Sequence, residues 1–117
     1  MPNVPTPQPV SSYVRGDTWT PQFSYTVGGV ATDAASLTVR VERPDRTYYD
    51  LTYGTDAALV RLSAGVYVAA IPLTMANVGT RRWTIRALAT VATSAGTITR
   101  YLEWWADCVT SRQTAPN

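Results

Sequence analysis

The stretch that decides the fold is Thr80–Asp107, with the sequence TRRWTIRALATVATSAGTITRYLEWWAD. Apolar and polar side chains alternate in both of its halves, which is the period of a β-strand and not of a helix. The small and polar residues of Thr93–Gly96 lie between the halves and suit a hairpin loop. Two antiparallel strands are therefore predicted over residues 80–92 and 97–107. The side chains expected to share one face of each strand are Trp83, Ile85, Ala87 and Ala89 on the first and Ile98, Leu102 and Trp104 on the second.

The rest of the chain shows the same alternation in shorter segments, separated by glycine, proline and aspartate turns. The predicted strands are residues 10–14, 18–27, 36–43, 47–53, 58–62 and 66–73. Only Thr74–Gly79 offers a place for a helical turn. About eight short strands with frequent turns predict an all-β antiparallel sandwich, because βαβ units would need helical segments between the strands.

Composition limits the chemistry that the chain can support. Its 117 residues are enough for one domain with its own hydrophobic core. There is no histidine, which is the usual general base near neutral pH and the commonest zinc ligand. The single Cys108 cannot build a thiolate metal site, and the absence of lysine excludes a serine–lysine pair. We therefore expect no enzyme activity, no catalytic residue, no cofactor and no metal site.

Four aspartates in or near predicted turns are the remaining candidates for a metal site or an acid–base pair. They are Asp33, Asp45, Asp50 and Asp56. None of them has the alternate spacing of a calcium-binding loop, and aspartate is common in turns for reasons of local hydrogen bonding. We interpret them as turn residues.

The two ends of the chain differ from its centre. Residues 1–9 form a proline-rich segment, residues 10–109 carry the strands, and residues 110–117 are a polar tail. The first segment is either a loose terminus or an extended arm laid along another surface, since its prolines favour an extended conformation. The arm residues expected to bind a partner are Pro2, Pro5, Pro7 and Pro9.

Charge and hydropathy indicate which partners to expect. The net charge is +2, and the pair Arg81 and Arg82 is the one local basic cluster, so we expect no nucleic-acid partner. No apolar run approaches the length of a membrane span, and the first residues lack the features of a signal peptide. We expect assembly in a cytoplasm, where the unpaired Cys108 stays reduced, and no membrane partner.

Consecutive aromatic residues near the end of the last strand give the most informative side chains. If Trp104 joins Leu102 in the core, then Trp105 points outward with Tyr101, because neighbouring residues of a strand face opposite sides. An outward tryptophan beside a tyrosine is a candidate platform for a protein partner or for a sugar ring. Trp19 is a third candidate for such a surface. The alternative is that a loop, the arm or another strand covers these rings.

The tripeptide Arg15–Asp17 spells an integrin-binding sequence. A turn is the better interpretation, because Gly16 lies between two predicted strands and Asp17 can cap the following backbone amide. Adhesion through this tripeptide is a minor alternative.

A family resemblance adds to these expectations. The residues that carry it are the run Tyr13–Thr18, the turn of Pro44 and Asp45 after Val39–Arg43, the run Leu62–Tyr67, and Trp83. Over about residues 10–108 the chain resembles the immunoglobulin-like domains of tailed-bacteriophage virion proteins. In that family a glycine often follows the Pro–Asp turn, where this chain has Arg46. Gly65, Val66 and Tyr67 resemble a tyrosine corner, in which a hydroxyl bonds back to the preceding connection.

The resemblance implies an immunoglobulin-like β-sandwich with a structural and non-enzymatic role in a virion assembled in the host cytoplasm. The implied partners are capsid, neck or tail proteins, with the chain present in many copies or as a homo-oligomer. Docking would use the arm, an open edge strand or the exposed aromatic residues. The rival from another class is a carbohydrate-binding module that uses Trp105, Tyr101 and Trp19 to bind surface glycans.

Overall fold

The computed structural model describes residues 12–110, and every regular secondary-structure element in this range is a β-strand. The strands in chain order are β1 (Ser12–Val14), β2 (Thr18–Trp19), β3 (Gln22–Ser24), β4 (Thr26–Val27), β5 (Val30–Ala31), β6 (Ser36–Glu42), β7 (Tyr48–Thr52), β8 (Leu59–Ser63), β9 (Val66–Ala69), β10 (Ile71–Pro72), β11 (Trp83–Thr93) and β12 (Gly96–Val109). The predicted all-β class is confirmed. The helical turn considered between residues 74 and 79 is not formed.

The largest sheet has five strands in the order β1-β12-β11-β6-β7. The hairpin of β11 and β12 is its centre, with an unbroken register from Thr93 opposite Gly96 to Trp83 opposite Ala106. β6 pairs antiparallel with both β11 and β7, whereas the short β1 runs parallel to the end of β12. The hairpin predicted from the alternation is confirmed, and its strands are longer than predicted at the loop end.

The other strands form three smaller sheets, in the orders β3-β9-β8, β10-β2 and β4-β5. One cluster of buried apolar residues joins the five-stranded sheet to these strands. It contains Ile85 and Val39 from the large sheet together with Phe23, Tyr67 and Ile71 from the smaller ones. A core enclosed by separate sheets is compatible with a β-sandwich.

Alternation along β11 shows why this hairpin organises the core. The inward residues are Trp83, Ile85, Ala87, Ala89 and Val91, each with no exposed surface. Burying a large apolar side chain of this kind stabilises the fold by about 1.5–3 kcal/mol. The alanines have little side chain to bury, and their small size lets the opposite layer approach the strand closely.

On β12 the predicted face is right, but two of its residues are not buried. Ile98 lies opposite Val91 and Leu102 opposite Ala87, which places both on the inner side of the sheet. They are nevertheless 36% and 40% exposed. This part of β12 is the margin of the sheet, where no strand within residues 12–110 pairs with its outer edge. Trp104, closer to the covered part, is half-buried against the core.

Trp19 is not a surface aromatic, so the prediction that it contributes to a binding platform is wrong. It is 6% exposed and belongs to the core cluster. β2 pairs with β10 so that Trp19 lies opposite Ile71, and its ring centroid is 6.5 Å from that of Tyr13. Trp19 shares a face with Phe23, and that face points to the opposite sheet.

The tripeptide Arg15–Asp17 forms a turn, as expected, but its capping differs from the prediction. Gly16 has φ of 102° and donates a backbone hydrogen bond to Leu73 O. The Asp17 Oδ2 accepts a hydrogen bond from the preceding Val14 N at 2.8 Å, not from a following amide. The carboxylate therefore closes the turn backwards, onto the end of β1.

Tyr67 does not form the local tyrosine corner that the resemblance implies. Its hydroxyl accepts a hydrogen bond from Ala34 N at 3.0 Å, which lies 33 residues earlier and not in the preceding connection. Its ring is buried and packs edge-on against Tyr53, with centroids 5.1 Å apart. Tyr67 thus ties β9 to the loop between β5 and β6.

The sequence did not define the type of the turn between β6 and β7. Arg46 N donates to Arg43 O at 2.9 Å, and Arg43 N donates to Thr47 O at 2.7 Å. Pro44 is buried at the turn, and Asp45 Oδ1 accepts hydrogen bonds from the backbone and hydroxyl of Thr47. Arg46 follows with φ of 78°, the position that glycine takes in a hairpin closed by a bulge.

We predict that Arg46→Gly stabilises the protein by about 0.5–1 kcal/mol. A left-handed conformation costs a residue with a Cβ about 1–2 kcal/mol, and the greater freedom of glycine in the unfolded chain cancels part of that gain. Urea unfolding measures the change. Arg46→Ala is the matched control, because it removes the same side chain but keeps the Cβ. Equal stabilities of the two variants would contradict the strain argument.

Candidate docking face

The candidate site is the outer face of the five-stranded sheet. Because inward residues alternate with outward ones, the register places Trp105 beside Thr84 and Tyr101 beside Leu88, all on the side away from the core. Tyr48 joins the same face through Glu42, at the opposite edge of the sheet. We call the four large side chains of this surface the aromatic face; they are Tyr48, Leu88, Tyr101 and Trp105.

Every member of the aromatic face is at least half exposed. The exposed fractions are 55% for Tyr48, 50% for Leu88, 59% for Tyr101 and 51% for Trp105. The prediction that Tyr101 and Trp105 point outward together is confirmed; their role as partner- or glycan-binding residues stays a prediction. Tyr48 and Leu88 were missed, because only the strand register shows that they share this side.

A row of ion pairs crosses the aromatic face between Tyr101 and Trp105. Arg86 lies between two carboxylates, with Nη1 2.9 Å from Glu42 Oε1 and Nη2 3.3 Å from Glu103 Oε2. Arg40 Nε lies 2.9 Å from Asp50 Oδ1. These side chains are 29–47% exposed, so each pair contributes at most about 1 kcal/mol to stability. The charged side chains of this row therefore already have partners of opposite charge on the aromatic face.

The ionisation of this row follows from its hydrogen bonds. The hydrogen bond from Arg40 holds the pKa of Asp50 below its usual range, and burial opposes that shift in part. The hydrogen bond to Glu42 raises the pKa of Arg86 above its ordinary value. Both residues are therefore charged throughout the physiological range, and neither is suited to proton transfer near pH 7.

Two aromatic rings of the face carry an arginine against them. The Arg40 Cζ is 4.0 Å from the Tyr48 ring centroid, and the Arg82 Cζ is 5.1 Å from the Trp105 ring centroid. Arg82 is held in place by its own ion pair, with Nε 3.0 Å from Asp107 Oδ1. Such contacts fix the orientation of an exposed ring before any partner arrives.

Beside the end of β12 lies a cleft of about 650 Å³ lined by both polar and apolar residues. Asn77 Nδ2 donates to Asp107 Oδ1 at 3.0 Å, so this carboxylate has both an amide and an arginine partner. Cys108 lines the cleft, and burial raises the pKa of its thiol, which keeps it protonated and a weak nucleophile. Within residues 12–110 no three His, Cys, Asp or Glu side chains are grouped to hold a metal ion.

The remaining candidates lie elsewhere. Pro2, Pro5, Pro7 and Pro9 fall outside the described residues. Trp19 is in the core on the opposite side of the sheet from Tyr101 and Trp105. Of the predicted aromatic surface, the fold therefore brings together Tyr101 and Trp105 only.

Comparison with known proteins gives no relative for this chain: no family model, no curated protein and no solved structure matches it. None of the elements formed by residues 12–110 is a helix of the length and hydropathy needed to cross a membrane.

Proposed function

We propose that this chain is a non-enzymatic structural protein of a tailed-phage virion, an immunoglobulin-like module that docks on other virion proteins through its aromatic face. The observation that carries the proposal is the aromatic face itself. Tyrosine and tryptophan are the side chains that most often dominate the binding energy of protein interfaces. Here three of them, Tyr48, Tyr101 and Trp105, lie on one face of a sheet. Arginines contact the rings of Tyr48 and Trp105, and the charges beside them are compensated.

The strand order supports the immunoglobulin-like part of the proposal. In such sandwiches the strands G, F, C and C′ form one sheet and B, E and D the other. The orders β12-β11-β6-β7 and β3-β9-β8 correspond to these two sets. The virion location and the capsid, neck or tail partners come from the resemblance in the sequence, and a capsid decoration role is our first choice among them.

Glycan binding is the second candidate, because Trp105 is exposed enough to stack on a sugar. Two features make it less favourable. Arg82 already lies over the Trp105 ring, and the Arg86–Glu103 ion pair lies between Trp105 and Tyr101. A sugar ring would have to take the free side of the indole.

The proposal predicts that the chain is a component of virus particles and that the aromatic face attaches it. Particles are banded on a density gradient from lysed cells that carry the gene in its native genome, and the chain is detected by mass spectrometry. We expect it in the particle band. We expect the double variant Trp105→Ala/Tyr101→Ala to reduce its incorporation at least about tenfold, since each interface anchor contributes about 1–2 kcal/mol or more.

The matched control is Val30→Ala, which truncates a side chain that is 66% exposed on β5, away from the aromatic face. It should incorporate like the wild type. Absence of the chain from purified particles contradicts the virion role. Wild-type incorporation of the double variant, with loss only after deletion of residues 1–9, would assign attachment to the arm. Glycan-array binding that disappears in Trp105→Ala while incorporation persists would favour the carbohydrate module.

A further inference from the structure

A second surface of the molecule is the open edge of β12. This strand pairs with β11 along its length from Gly96 to Ala106, whereas β1 covers its other side only at Asp107–Val109. Within residues 12–110 no strand pairs with the outer edge of residues 96–106. An unpaired strand edge of this length is a template for another strand.

The hydrogen bond to β1 shows which groups face this edge. Arg15 N donates to Val109 O at 2.9 Å, so the polar backbone groups of Val109 point toward the β1 side. Because successive peptide groups of a strand point to opposite sides, every second residue before Val109 points the same way. The residues with an outward N–H and C=O on the open edge are Thr97, Thr99, Tyr101, Glu103 and Trp105.

The other margins of the sheets are protected in ways that β12 is not. The pairing of β8 is irregular between Arg61 and Ser63, and β10 is two residues long and carries Pro72. β7 is a short strand of five residues. Bulges, prolines and short strands are the usual protections against edge-to-edge association. Residues 96–106 contain no proline and keep a regular register with β11.

The inner side of the same edge exposes apolar side chains. Ile98 is 36% exposed and Leu102 40%, although both point toward the core side of the sheet. Trp104 completes the row and is half-buried. A strand added to the edge would place its own inward side chains against these residues and remove them from water.

We propose that two copies of this chain associate by antiparallel pairing of their β12 edges around Tyr101. This register is the one in which all five outward-pointing residues pair. On the outer face it sets Tyr101 against Tyr101, Thr99 against Glu103 and Thr97 against Trp105 of the other copy. On the inner side it sets Ile98 against Trp104 and Arg100 against Leu102. The result is one continuous sheet of ten strands, five from each copy.

The charged side chains and the ends of the paired strands are compatible with this register. No two like charges lie directly opposite each other, and Glu103 keeps its ion pair with Arg86 of its own chain. The two Arg100 side chains are diagonal neighbours, but each donates to Thr26 O of its own chain at 3.1 Å and so already has a partner within that chain. Gly96 of one copy lies opposite Ala106 of the other, so the added strand ends where β1 begins.

The competing occupant is the segment that precedes β1. If it continued the parallel register of β1, residues 9, 7 and 5 would direct their backbone nitrogens at the edge. All three are prolines and have no N–H to donate, so they cannot complete that ladder. The second copy, whose β12 offers both groups at each of its five outward-pointing residues, is the better-matched occupant.

Sedimentation equilibrium of the full chain tests the proposal. We expect reversible association in the micromolar range to twice the 12.7 kDa mass of the chain. Leu102→Lys and Ile98→Lys should each weaken it at least about tenfold, because a lysine on the inner side of an edge strand opposes pairing. Thr99→Pro, which removes one outward N–H and leaves the β11 side untouched, should weaken it similarly.

The matched control is Leu62→Lys, a change of the same kind at a side chain that is 54% exposed on β8, in a different sheet from β12. It should associate like the wild type. A wild-type chain that stays monomeric at several hundred micromolar overturns the proposal, and so does association that Leu88→Lys, a change on the aromatic face, abolishes but Leu102→Lys does not. A monomer that dimerises only after deletion of residues 1–9 also overturns it, and would identify the arm as the segment on the edge. Since no virion component enters this measurement, it stands apart from the proposed function.

Discussion

Gly65→Ala is expected to destabilise the protein by about 2–5 kcal/mol. Two costs add at this residue. Its φ of 71° is unfavourable for any residue with a Cβ, which contributes about 1–2 kcal/mol. A Cβ built there would also lie 2.6 Å from Tyr25 O and 2.8 Å from Thr32 N, closer than van der Waals contact allows. Overpacking against backbone costs about 1–3 kcal/mol.

The clash cannot be relieved by a side-chain rotation, because the neighbouring atoms are backbone atoms held by hydrogen bonds. Tyr25 N donates to Gly65 O at 2.8 Å, and Thr32 N donates to Tyr25 O at 3.0 Å. Gly65 N donates to Asp33 Oδ1 at 2.7 Å, and Arg61 Nε donates to the same oxygen at 3.0 Å. These hydrogen bonds, that of Arg61 first, hold the pKa of Asp33 below its ordinary value. Moving Gly65 away disturbs the whole group.

Gly54→Ala is the matched control for this prediction. Gly54 also has a positive φ, 94°, but an added Cβ meets nothing within 4 Å. It should therefore show the conformational cost alone, about 1–2 kcal/mol. Thermal unfolding followed by circular dichroism compares the two variants. We expect the melting temperature of Gly65→Ala to fall by at least about 10 °C. Equal losses would show that the approach of Tyr25 and Thr32 carries no energetic weight.

The sequence was sufficient for those parts of the fold that depend on local alternation. Trp83, Ile85 and Ala87 fall on one side of a strand whatever it pairs with, and the inward Trp104 fixes Trp105 as outward. Trp19 shows the limit of residue type as a guide. Its size and aromatic character are typical of interface residues and of core residues alike, and its alternation with Phe23 is what places it on the buried face.

Features that depend on contacts between distant segments were beyond prediction. Gly65 meets residues 40 and 33 positions away, and nothing near Gly65 in the sequence records which backbone approaches it. Tyr67 was expected to bond locally but reaches Ala34. The open edge of β12 depends on how far β1 runs along it, which strand patterns do not define. Leu102 is exposed for the same reason.

Trp83→Ala is expected to destabilise the protein by about 3–5 kcal/mol, and the neighbouring Trp105→Ala by less than about 1 kcal/mol. Trp83 has no exposed surface, so its removal leaves a cavity among packed neighbours and loses the transfer free energy of a large ring. Trp105 undergoes the same chemical change on the adjacent strand, but half of its surface is already in water. The comparison holds side-chain size constant and varies burial.

Trp83 also makes a hydrogen bond, and the comparison with Trp105→Ala does not isolate its contribution. Its Nε1 donates to Met75 O at 2.9 Å, which fixes the connection between β10 and β11 over the end of the sheet. Trp83→Phe removes this donor and part of the ring, so we expect an intermediate loss of about 2–3 kcal/mol, since an unsatisfied buried acceptor costs about 1–3 kcal/mol. Urea unfolding followed by far-UV circular dichroism avoids the change in tryptophan fluorescence. If Trp83→Phe were as stable as the wild type, the Met75 bond would contribute nothing; if Trp83→Ala lost no more than Trp105→Ala, β11 would not be the centre of the core.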